Sequence, residues 1–127
     1  MTYKELMFSS LSQLLETGEV LRYPLYGTLI QKGGRFFGYF GLTDTHLLIA
    51  LLNGSKNWVS RIPLDIKDVK VKKSLFPLQR IVKINFNTGN PCIIRFSSKV
   101  YGIDTQKENL EHFINEISEI SVKGAKS

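Results

Sequence analysis

The chain has 127 residues, 43% of them hydrophobic, and a net charge of +6; this is the size of one domain with a single core that needs neither metal nor disulfide. Its one cysteine, Cys92, excludes an intramolecular disulfide, no apolar run approaches the roughly 18 residues that span a bilayer, and the N-terminus lacks the basic-then-apolar layout of a secretion signal. A reducing cytoplasm is the expected compartment, with any membrane contact peripheral, at the inner face.

The first segment, residues 2–17, places Leu6 or Met7, Leu11, Leu14 and Leu15 at helical spacing, and Thr2 with Glu5 forms a capping box, with Gly18 as the stop. From Glu19 to Ser98 the pattern turns to β. Turn signals at Gly33-Gly34, Thr43-Asp44, Asn53-Gly54 and Gly89-Asn90 divide seven strands near 20–32, 36–42, 46–52, 57–62, 69–73, 80–87 and 91–97. Gly38 and Gly41, inside a strand, predict a bulge or a sharp bend. Val82, Ile84 and Phe86 alternate with Ile81, Lys83 and Asn85, and Cys92, Ile94 and Phe96 alternate with Ile93 and Arg95, so each strand has one buried face. The last segment, about 105–121, opens on a second capping pair, Thr105 and Glu108, and carries Leu110, Phe113, Ile114, Ile117 and Ile120 on one helical stripe. Seven short antiparallel strands have edges to close or cover, and an amphipathic helix suits the open end of a bent sheet. The expectation is a mainly β (α+β) single domain, 1–127: a small barrel or sandwich with a helical cap.

The charge is uneven. Between Arg22 and Lys99, thirteen Lys/Arg stand against Asp44, Asp65 and Asp68, leaving ten net positive charges, while each flank is net −2. Such an excess favours an anionic partner and equally serves solubility. Lys70, Lys72 and Lys73, with Arg80 and Lys83 on the next strand, form a candidate basic face if the two strands pair as a hairpin. Its connection holds Leu75, Phe76 and Leu78, more apolar than a solvated turn requires: a membrane wedge, a protein-contact tip or a loop folded onto the core.

Gly27-Thr-Leu-Ile-Gln-Lys32-Gly33-Gly34, then Phe40-Gly-Leu42-Thr43-Asp44-Thr-His-Leu47, resembles the opening hairpins of pleckstrin-homology domains. The continuation through an Asn-Gly turn, Ile62-Pro63-Leu64-Asp65-Ile66-Lys-Asp68-Val69, strands around Asn87-Thr-Gly89 and a C-terminal helix resembles the bacterial PH-like domains over about residues 18–120. The resemblance implies a seven-stranded bent barrel of two antiparallel sheets capped by the C-terminal helix, here with an extra N-terminal helix, serving as a non-catalytic binding or scaffolding module. Lys32 and Arg35 stand where lipid-binding members begin a phosphate cage, but Phe36, Phe37, Gly38 and Tyr39 follow, so specific phosphoinositide recognition is disfavoured. Phe113 stands where that family typically carries a Trp.

Arg35-Phe36-Phe37-Gly38-Tyr39-Phe40-Gly41-Leu42 also comes close to an RNA-recognition strand. That fold needs a helix between its first two sheet strands, and β-like residues precede this stretch directly. Nucleic acid therefore ranks below a protein partner, or a second copy in a homo-oligomer, and below anionic lipid. It would require Phe37 or Tyr39 on an open sheet. No catalytic set, cofactor or metal is expected: His46 and His112 lack ligand spacing, Cys92 is in phase with Ile94 and Phe96, and Asp65 and Asp68 lie in a strand connection with no sign of an enclosing pocket.

Overall fold

The computed structural model describes residues 2–53, 56–75 and 78–126. In chain order the elements are α1 (Tyr3–Ser12), β1 (Arg22–Gln31), β2 (Gly34–Leu42), β3 (His46–Asn53), β4 (Lys56–Pro63), β5 (Ile66–Leu75), β6 (Leu78–Phe86), β7 (Cys92–Ser97) and α2 (Gln106–Lys126). The protein is mainly β, with seven antiparallel strands and a helix at each end of the chain.

The expected barrel of two sheets is instead one continuous sheet in the order β4-β3-β2-β1-β7-β6-β5. The junction is β1, which pairs with β2 along its length and, through Thr28, Leu29 and Ile30, with β7. Consecutive strands β4 and β5 form opposite edges, and among the described residues they do not pair, so the sheet is not a closed barrel. It is nevertheless strongly curled. Six spacings of about 4.8 Å would hold the edges of a flat sheet roughly 29 Å apart, whereas Pro63 and Ile66 are three Cα steps apart, at most about 11 Å. The connector is pinned at both ends: Leu64 N–H donates to Thr45 O (2.9 Å), and Asn87 N–H donates to Asp65 O (3.0 Å). Its polar groups are spent on neighbouring turns and do not extend the ladder from β4 to β5.

The concave side holds the main core. Leu25, Leu29, Phe40, Leu47, Ile49, Val82, Ile84, Ile94 and Phe96 point inward, and Leu110, Phe113 and Ile117 of α2 close over them. The Phe96 ring lies edge-on between Phe40 (5.6 Å) and Phe113 (5.5 Å). The two strand glycines expected to mark a bulge make room for neighbours, and the β2–β3 register runs through them without a shift. A Cβ on Gly38 would lie 2.7 Å from Ala50 O, and one on Gly41 2.7 Å from Leu21 Cδ1. The register shifts lie elsewhere, one in β5 between Ile66 and Asp68 and one in β1 between Arg22 and Leu25, where Tyr23 adopts φ 54 and its ring stacks on His112 of α2 at 5.4 Å.

The convex side has a second, smaller core. Met7 and Leu11 of α1 pack on Tyr39, Leu48 and Ala50, so β3 is buried on both faces and its sequence reads as a continuous apolar run. The Thr2–Glu5 capping box forms, but α1 stops at Ser12, five residues before the expected end. Leu14 O there accepts from Arg61 Nη1 (2.9 Å), and Glu16 N–H donates to Glu19 (2.8 Å), so side chains satisfy groups that further helix would have used. The helix α2 runs to Lys126, beyond the expected 121.

Candidate binding surfaces

Directly opposed residues of an antiparallel pair share a face, and alternate residues share it along the strand. Lys70 is opposite Lys83, Lys72 opposite Ile81, and Lys73 opposite Arg80. The β5–β6 hairpin therefore unites the five predicted cations but splits them between faces. Lys70, Lys72 and Lys83 project from the convex face. Lys73 and Arg80 lie on the concave side, where Arg80 is 13% exposed at its side chain and pairs with Glu111 of α2 at 3.7 Å. At the tip, Leu78 is exposed, the Leu75 side chain and Phe76 lie outside the described residues, and the wedge reading is left without its central residue.

The register carries the convex face onward. Ile81 is opposite Arg95 and Lys83 opposite Ile93; Arg95 is opposite Thr28 and Ile93 opposite Ile30; Thr28 is opposite Phe37 and Ile30 opposite Arg35. Arg35 thus joins Lys70, Lys72 and Lys83 across five strands, with Arg95, which the sequence reading did not single out, between them. Lys32 is exposed in the adjoining β1–β2 turn. Asp68, bound to Asn85 Nδ2 at 2.5 Å, is the one acidic residue facing this way on those strands. Among the described residues none of these cations has a carboxylate within 4.0 Å; the ion pairs found involve Lys4, Arg22, Arg61, Arg80 and His112. Helix α1 covers only the β1–β3 part of this side. At the margin of its cover a hollow of about 290 Å³ is lined by Tyr26, Thr28, Phe37, Gln79, Arg95 and Lys99 among others. Phe37, 51% exposed, lies nearly parallel to Tyr26, with centroids 6.4 Å apart, whereas Tyr39 is buried, which raises its hydroxyl pKa.

The two sheet edges differ sharply. Along β5 the edge carries Lys70, Lys72 and Lys73, all exposed, the usual guard against pairing with another chain. Along β4, among residues 58–63, whose side chains are described, the exposed large apolar ones are Trp58 (48%) and Val59 (52%). Its Arg61 is turned inward onto Glu19, with Nη1 to Oε1 at 2.6 Å and Nη2 to Oε2 at 2.9 Å. That forked bond from Arg61 holds the Glu19 carboxyl at about 2, and Glu19 in turn raises the Arg61 pKa. Over residues 58–62 the β4 edge therefore exposes apolar side chains and carries no free charge from Arg61. Because Leu64 donates to Thr45 and the register holds from His46–Pro63 to Asn53–Lys56, alternation directs the main-chain groups of Trp58, Ser60 and Ile62 toward β3. Those of Asn57, Val59 and Arg61 face outward.

The remaining reactive side chains are engaged in structure. Cys92 is buried among core residues, and burial pushes its thiol up, opposite to the shift a thiolate nucleophile requires. His46 Nδ1 lies 2.7 Å from Thr45 Oγ1, and Asp65 accepts from Asn87 Nδ2 at 2.6 Å. No group of three His, Cys, Asp or Glu gathers among the described residues, and no helix there is long and apolar enough to cross a membrane. Comparison with family models, curated proteins and solved structures finds no match to the chain, so the functional reading rests on this geometry.

Proposed function

We propose that the chain is a non-catalytic, PH-like binding module that associates with a second copy of itself through the β4 edge. The fold supports the first part: a curled antiparallel sheet whose last helix fills the concave side has the element order of the PH-like plan that the sequence resembles. The observation that carries the second is the contrast between edges, one guarded by Lys70, Lys72 and Lys73 and the other exposing Trp58 and Val59 among outward main-chain groups.

The outward set is self-complementary. A two-fold antiparallel pairing places Val59 opposite Val59 of the second copy and Asn57 opposite its Arg61, so that both partners offer the same donors and acceptors. Trp58 then faces Ser60 of the other copy on the concave side, which covers the exposed indole.

Light scattering over a concentration series is expected to show a dimer that Val59→Lys converts to monomer with an unchanged far-ultraviolet spectrum. Opposed Cα atoms in a hydrogen-bonded pair lie about 5.5 Å apart, within disulfide range, so Val59→Cys should cross-link under mild oxidation. A wild-type chain that stays monomeric throughout the series would remove the proposal.

A further inference from the structure

We propose that the convex face binds single-stranded nucleic acid, with Phe37 as a stacking platform and the surrounding cations on the phosphates. Complementary charge is the first argument. Arg35, Lys70, Lys72, Lys83 and Arg95 occupy one face with Asp68 as its acidic member, and none has an ion-pair partner among the described residues. A cation held without an intramolecular partner keeps its full attraction for a phosphate.

The setting of Phe37 selects among anionic partners. Its ring is half exposed on the sheet face, inside the hollow that Arg95 and Lys99 also line. An aromatic in a hollow cannot enter a bilayer, which takes protruding apolar residues, but it accepts a flat ring from above. Thr28 and Gln79 in the same hollow supply hydrogen-bonding groups for a base edge. Duplex DNA fits less well, since five strands span about 19 Å and the major groove is about 12 Å wide. A single strand needs no groove: unpaired bases stack while the backbone follows a basic surface. The aromatic-rich β2 thereby acquires a role without the helix-containing RNA-recognition fold.

The test is fluorescence anisotropy with labelled single-stranded oligothymidylate across a salt series, on the full chain. With four phosphates neutralised, the logarithm of the binding constant should fall against the logarithm of salt with a slope of about −3. Phe37→Ala should weaken binding roughly tenfold at constant slope. The Lys72→Glu, Lys83→Glu double variant, changed at convex-face positions, should make the slope shallower by at least about 1.4. Circular dichroism checks the fold of each. Two results overturn the proposal: equal binding by wild type and Phe37→Ala, which would mark a charge effect alone, or retention by anionic phosphatidylserine vesicles with no binding to oligothymidylate, which would make the face a membrane surface.

Discussion

Replacing Gln106 by alanine removes the side chain that bridges β1 and β7 where their ladder ends. The paired residues stop at Thr28 and Arg95, and just beyond them the Gln106 amide, 1% exposed, stands in for a strand. It accepts from Tyr26 N–H (3.0 Å) and donates to Tyr26 O (2.7 Å) and Ser97 O (3.1 Å). Each such bond contributes about 1 kcal/mol net, and all three are part-buried, so Gln106→Ala should lower the unfolding free energy by about 3 kcal/mol. For a chain of this length that is a fall in Tm of roughly 10 °C. Urea unfolding followed by circular dichroism measures it, with an unchanged m value showing that the same surface is exposed. Gln106→Glu should be no better, because a carboxylate keeps the acceptor for Tyr26 N–H but sets oxygen against two carbonyls. A loss below about 0.5 kcal/mol in the alanine variant would refute the reasoning, since water would then serve the three main-chain groups equally well.

Two further perturbations probe the frame around the surfaces. Glu19 has a folded pKa of about 2, below its ordinary 4.5, so the stability it contributes is fully present above about pH 4.5 and is lost as pH falls through about 2. The difference in Tm between wild type and Glu19→Gln should accordingly be largest near neutrality and shrink in acid; a difference independent of pH would contradict the role given to Arg61. A Cβ on Gly38 meets the main chain of Ala50 and Leu51 at 2.7 and 2.9 Å. Gly38→Ala should therefore destabilise by about 1–3 kcal/mol, read by the same urea titration, and an unchanged midpoint would mean that β2 and β3 are free to part there.

Where a residue needed only its chain neighbours, the sequence was a sufficient guide. The capping box at Thr2 and Glu5, the stripe Leu110, Phe113 and Ile117, and the alternation of Cys92, Ile94 and Phe96 are local periodicities, and they reappear as a capped helix, a core helix and a strand with one face inside. The same alternation already set Arg95 opposite to Ile94. What it lacked was the strand beside it, and without Lys83 and Thr28 as neighbours Arg95 reads as an ordinary solvated cation.

The sequence by itself determined the number and order of strands, the two helices and the basic middle of the chain, because turn residues and repeat periods act over a few residues. Only the tertiary structure decided that the two expected sheets are one, since that depends on β1 pairing on both of its sides. Only it set Lys70 beside Lys83 and Arg95 beside Thr28, because the register between strands and not composition decides which side chains are neighbours across a sheet. It also decided that the middle of the β4 edge carries no free charge from Arg61: the withdrawal of Arg61 onto Glu19 is a contact between residues 42 positions apart, which no local pattern records.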